Sequence, residues 1–283
     1  MRGPRLRGYL RGIGLWTPAH PSFESWCAAG MPEDFAGTPE QAASARPPAE
    51  LLHPRLRRRT SVFTRATVTA LEAAIQQGGA SLDDVRIVLV SSFGEIETTV
   101  ELLAQLADPH GPVSPTKFHN SVHNTATGYM SIASGNHREA TALAGGPHNL
   151  EIATLELLAG LAIDGGDAVL IIAEEALPDP FARPDADPTF AIAVHFAAEP
   201  AGDRHPSSLD IRIGLDGLAW EPDPAEDLPL EGLPSMIPSS YALLLGAGRL
   251  ATIEGAPTQV VILGAHGDPS VEMRWILTLV RRS

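Results

Sequence analysis

The chain has 283 residues, with 20 Lys+Arg against 34 Asp+Glu and a formal net charge of −14. Phosphate contacts need dense cationic charge, so nucleic acid and an anionic membrane surface are argued against as main partners. The single cysteine, Cys27, rules out a disulfide framework and a Cys-rich zinc site and fits a reducing compartment.

A strand is predicted over 9–16, stopped by Thr17-Pro18, then a long loop over 18–53 with one helical turn near 25–29. Apolar spacing places a helix over 60–77, ended by Gly78-Gly79. The run VRIVLVS at 85–91 reads as a strand buried on both faces. Helices are predicted over 96–106 and 119–133, the second ended by Gly135-Asn136. A short strand over 140–144 precedes a strongly apolar helix over 147–163, with Pro147 near its first turn and Gly165-Gly166 beyond its end. Strands follow over 168–173 and 190–198.

This alternation of apolar strands and helices predicts an α/β fold, a mostly parallel sheet covered by helices. Past residue 200 the chain turns acidic and Pro-rich. One strand is predicted there at 209–213, a helix at 239–250 and a terminal β-hairpin from 259–264 and 271–280. The predicted division is residues 1–200 as one domain and 201–283 as a segment packed on it.

The charge sum hides an asymmetry. Residues 1–65 hold ten arginines and five acids; residues 66–283 hold ten cations and 29 acids. Lys117 is the one lysine, so positive charge here means planar guanidinium groups suited to bidentate contact with carboxylate or phosphate. No apolar run reaches the roughly 18 residues needed to cross a bilayer. The apolar stretch Gly12 to Trp16 behind the basic start is too short for a signal-peptide core, so a cytoplasmic chain is expected.

Four patterns carry chemistry in letters. Gly246-Ala-Gly248-Arg-Leu-Ala251 matches a dinucleotide fingerprint, but Gly255 and Pro257 leave barely one helical turn before the next strand, and no cofactor is expected. His119 and His123 stand at i and i+4, a metal-pair spacing that would need a third ligand such as His137 or His148; polar residues lining an interface or pocket are the preferred reading. Cys27, beside Trp26, sits on no strand-to-helix turn and reads as a packed small residue. The turn Thr141-Ala-Leu143-Ala-Gly-Gly146-Pro-His148-Asn149 has the form of a nucleophile turn, with small residues and a following helix N-terminus, but leucine holds the reactive position.

At that turn the chain resembles the N-terminal half of a β-ketoacyl synthase, of the thiolase superfamily. More narrowly, it resembles the chain-length-factor-like group of aryl polyene and xanthomonadin-type pathways. Gly12-Ile-Gly-Leu-Trp-Thr-Pro18 is similar to the first strand of ketosynthases, and Arg57-Arg-Arg59 before the first long helix also fits. The most specific stretch runs from Ser91-Ser-Phe-Gly-Glu95 through Ser114-Pro-Thr-Lys-Phe-His-Asn-Ser-Val-His-Asn124 to Gly128 and Ser131-Ile-Ala-Ser-Gly135. The resemblance covers roughly residues 5–200.

The resemblance implies a thiolase-like half, βαβαβ, with the hairpin as its tail. Ketosynthases carry their acyl-accepting cysteine where Leu143 stands, and a thioester cannot form on leucine. They also take two catalytic histidines from a second half, before which this chain is expected to end, so no histidine is assigned a catalytic role. The implied function is a silent subunit that pairs with an active ketosynthase and helps shape its acyl tunnel. A homodimer is the other assembly it allows. By resemblance the helix over 120–134 lies at that interface, with Phe118, His119, Val122, His123, Thr125 and Tyr129 as contacts; for Val122 and Tyr129 ordinary core packing stays equally open. Arg55, Arg57, Arg58 and Arg59 form a docking face for an acidic acyl carrier protein or partner subunit, or else a solvated basic face. An acyl-transfer or hydrolytic enzyme using His119, His123 or His148 as base, and a histidine metal site, remain the rival readings.

Overall fold

A computed structural model of the chain describes residues 5–108, 111–144, 149–183, 186–199, 207–214, 226–227, 243, 245, 259–263 and 274–281. The elements run β1 (Arg5–Trp16), α1 (Phe23–Ala28), α2 (Pro39–Ser44), α3 (Pro54–Arg57), α4 (Val62–Gly78), β2 (Arg86–Val90), α5 (Ile96–Ala107), α6 (Pro115–Asn120), α7 (Thr125–Ser134) and β3 (Ala140–Leu143). They continue with α8 (Asn149–Asp164), β4 (Asp167–Glu174), β5 (Phe190–Ala197), β6 (Ser207–Gly214), β7 (Glu226–Asp227), β8 (Gln259–Leu263) and β9 (Arg274–Arg281).

The described strands form one mixed sheet in the order β3-β2-β4-β5-β1-β6-β9-β8-β7. β3 and β4 flank β2 in parallel, the pairing expected where helices connect the strands. β5 returns antiparallel between β4 and β1, and β6, β9 and β8 continue antiparallel. The predicted terminal hairpin is the antiparallel pair β8–β9, and the strand predicted at 209–213 is β6. The residues around Gly246–Ala251, and most of the helix predicted over 239–250, lie outside the described residues.

The runs read as continuously apolar split by period two into two cores. Val88, Val90, Leu170, Ile172, Ile192 and Val194 face α8, where Leu150, Ala153, Leu157 and Leu161 are buried. Ile87, Leu89, Val169, Ile171, Ala191 and Ala193 face α4 and α7. Both sheet faces are covered, so alternation never showed in the sequence. The loop predicted over 18–53 carries more structure than one turn: α1 and α2 each start in a capping box, Ser22 with Ser25 and Thr38 with Gln41. Phe23, Trp26 and Phe35 from this segment enter the first core.

One predicted element is corrected. The helix over 119–133 is two helices, α6 ending at Asn120 and α7 beginning at Thr125. Residues 121–124 turn because the Ser121 N–H closes α6 on the Phe118 carbonyl and the Thr125 hydroxyl reaches back to the His119 carbonyl at 3.1 Å. His119 and His123 therefore do not share one helix face.

Candidate functional site

Leu143 ends β3, in register with Val90 of β2, six residues before α8 begins at Asn149. Its side chain is half-buried against the α8-side core. Its carbonyl oxygen has two donors, the Ser91 N–H at 3.1 Å and His123 Nε2 at 3.0 Å. A carbonyl only accepts, so His123 carries its proton on Nε2. Nδ1 faces Gly94, where a Cβ would come within 2.9 Å of it. His123 thus fixes the strand end that carries Leu143.

The turn after β2 is held from below by Glu174, at the end of β4 and 2% exposed. Glu174 Oε1 accepts the Ser92 N–H at 2.5 Å, and Oε2 accepts the Ser91 hydroxyl at 3.0 Å. Ser91 Oγ takes the Gly94 N–H at 2.8 Å, and Asn149 Nδ2 donates to Ser92 Oγ at 2.9 Å. Burial pushes the Glu174 carboxyl up, and the donors from Ser92 and Ser91 pull against it. Through this network the start of α8 and the 91–94 turn are locked beside Leu143. Sequence reasoning missed Glu174 and gave Ser92 and Asn149, both within its motifs, no role of their own; the available signal for Glu174 was a carboxylate directly after the buried run AVLIIA.

The residues predicted for the interface separate into two groups. Phe118 is 62% and Val122 44% exposed, and His119 is exposed, while Thr125 and Tyr129 are buried and His123 is half-buried. Asn120 joins the groups: its Nδ2 donates to the Arg59 carbonyl at 2.8 Å, and its Oδ1 accepts from the Tyr129 hydroxyl at 3.1 Å and from His119 Nδ1 at 3.0 Å. Burial first, and then the Glu95 carboxylate, raise the Tyr129 phenol pKa. Replacing Asn120 with alanine leaves a buried hydroxyl and carbonyl without partners, so stability should fall by about 1–3 kcal/mol in urea denaturation. Asn120→Asp should recover part of it.

Of the arginines, Arg55, Arg58 and Arg59 are exposed, whereas Arg57 is half-buried and donates Nη2 to the Leu52 carbonyl at 3.1 Å. The Cys27 thiol is pushed up by burial and then by Glu24, the reverse of an activated nucleophile. Among the described residues no group of three His, Cys, Asp or Glu is placed to hold a metal, and His148 lies outside them. Nor is any described helix long and apolar enough to cross a membrane.

Residues 30–216 match the model of the β-ketoacyl synthase N-terminal domain. The chain belongs to the β-ketoacyl synthase family. Its α/β fold is the thiolase-like ketosynthase fold. A ketosynthase, ApeO, in complex with its chain length factor, ApeC, from Xenorhabdus doucetiae is 20% identical over 98% of this chain and 100% of that chain, with a TM-score of 0.68. The ishigamide ketosynthase/chain length factor is 15% identical, covering 99% and 100%, with a TM-score of 0.68. A type II polyketide synthase acyl-carrier protein in complex with its ketosynthase bound to the hexaketide is 11% identical, covering 98% and 99%, with a TM-score of 0.70. The likeness in fold therefore extends beyond the stretch 5–200 that the sequence resembles. No curated protein matches the chain.

Proposed function

We propose that this β-ketoacyl synthase-family chain is a catalytically silent, chain-length-factor-like subunit. It pairs with an active ketosynthase in a type II fatty acid or polyketide pathway, of the aryl polyene kind, and helps shape the acyl tunnel. The observation that carries this reading is Leu143, at the end of β3 where the family's frame sets its nucleophile, with a backbone locked by His123 and Ser91. Leucine has no atom that can accept an acyl group. The exposed Phe118 and Val122 are apolar surface of the kind a partner subunit covers. The exposed Arg55, Arg58 and Arg59 suit an acidic carrier protein or partner. A rival acyl-transfer or hydrolytic role for His123 is opposed by the use of its Nε2 proton on the Leu143 carbonyl.

The test is co-expression with the ketosynthase of the same gene cluster. A stable complex is expected, weakened at low salt by charge reversal at Arg55, Arg58 and Arg59, while the chain alone leaves acyl carrier protein thioesters intact. A monomer that ignores the ketosynthase sinks the reading. Thioester turnover lost in His123→Ala favours the rival.

A further inference from the structure

Two buried acids near the starts of α4 and α5 have no part in the network at Leu143. Glu95, just before α5, is 2% exposed, and Glu175, just after β4, is 4% exposed. Glu175 Oε2 accepts the Glu97 N–H at 3.0 Å, and the backbone N–H of Phe63 acts on the same carboxyl, lowering its pKa. It therefore caps the start of α5 and lies near the start of α4, where backbone donors lack partners within the helix. Glu95 reaches the same junction: Oε1 takes the Thr64 hydroxyl, and Ser61, the N-cap of α4, acts on the carboxyl to lower its pKa. The other oxygen of each, Glu95 Oε2 and Glu175 Oε1, is buried without a hydrogen-bond partner.

A buried carboxylate oxygen without a donor is strongly unfavourable, and the neutral acid far less so. The charges acting on the pair add to this: Glu97 of α5 acts on both, and Glu95 acts on Glu175. From α7, Tyr129 faces Glu95 and Arg59. Glu174, adjacent on β4, is committed to Ser91 and Ser92.

We propose that Glu95 and Glu175 form a proton-operated latch between α4 and α5. Protonated, it holds the two helix starts together. Ionised in mildly alkaline solution, it releases α5 and, through Glu95 and Gly94, loosens the turn that borders His123 and Leu143. Desolvation, the larger cause, with Glu95 and Glu97 raises Glu175 to about 8, which puts the change near physiological pH. The latch does not depend on any partner or acyl substrate.

Hydrogen exchange of the full chain at about pH 6.5 and about pH 9, corrected for the intrinsic base-catalysed rate, tests it. Protection of the α5 amides should fall at least roughly tenfold at the higher pH while α4's interior and β4 hold, as local opening of one unit predicts. Glu175→Gln, which keeps the acceptor and stays neutral, should hold α5 protected at both. Equal loss in the variant, or no loss in the natural chain, overturns the latch. Carbon-13 NMR of glutamate-labelled protein gives a second reading that no variant can disturb. Glu175 should titrate above about pH 7, and an ordinary titration of Glu175 overturns the idea.

Discussion

Replacing Gly14 with alanine should cost more than about 3 kcal/mol of stability and lower the melting temperature by roughly 10 °C, if the chain folds at all. A Cβ at Gly14 would meet the Ala70 carbonyl oxygen at 1.9 Å, and one at Gly12 would meet the Ala74 carbonyl oxygen at 2.1 Å. Both obstacles are α4 backbone, which cannot rotate away as a side chain would. Relief requires α4 to lift from β1, and α4 carries Phe63, Ala66, Ala70, Leu71 and Ala74 in its core. Loss of that packing would remove a large part of the usual 5–15 kcal/mol of net stability. Gly128→Ala is the control. It lies within α7, nothing stands within 4 Å of its added Cβ, and it should be neutral or stabilise by up to about 1 kcal/mol. Urea denaturation of the three proteins decides. Equal stabilities would mean that α4 does not pack on β1 through these glycines.

That contact gives physical content to the Gly-x-Gly pattern of the first strand. Residues 12 and 14 turn toward α4 while Ile13 and Leu15 turn to the α8-side core, so the pattern is a period-two strand whose helix-facing side must be bare. The same alternation explains why the strands at 86–90 and 167–174 were legible from apolarity alone. Each face has its own helix layer, and only length and flanking breakers told strand from helix. The helix ends at Gly79 and Gly135 were equally legible, since both adopt the left-handed conformation that glycine favours.

What the sequence hid was set by contacts between distant residues. The turn between α6 and α7, closed locally by Ser121 and Thr125, is fixed in place by His123 reaching Leu143, 20 positions on, and by Asn120 bonding the Arg59 carbonyl, 61 positions back. Local propensity over 119–133 contains neither partner and reads as one helix. Thr38 with Gln41 was a local signal for α2, obscured by the Pro- and Ala-rich composition around it. At the candidate site Leu143 was legible, because a strand–turn–helix frame with small residues marks its position. Glu95, Glu174 and Glu175 were not. A carboxylate at a strand end or before a helix is by default solvent-facing, and only the fold reveals that all three are closed over.

Their burial leads to the second large effect, a stability that declines with pH. Glu175 is raised from 4.5 to about 8, mainly by burial. Below its unfolded value both states hold the proton. Between about 4.5 and about 8 the unfolded chain is ionised and the folded one is not, so stability falls as pH rises, and above about 8 the loss levels off. At about 1.4 kcal/mol per pH unit, the decline over that window is on the order of 5 kcal/mol. Glu95 and Glu174 shift in the same direction and add to it. Asp167 is lowered, first by its bond to the buried His195, so it contributes the opposite slope, lost only as pH falls into the acid range. Glu175→Gln cannot ionise and should flatten the curve. At about pH 5 it should match the natural chain within about 1 kcal/mol, and at about pH 9 it should be the more stable by several kcal/mol, read from urea midpoints. Parallel curves for the two proteins would show that Glu175 is already charged in the native state at neutral pH. The cause would then lie in a donor reaching Oε1, and burial at the α4–α5 junction would no longer account for the group's chemistry.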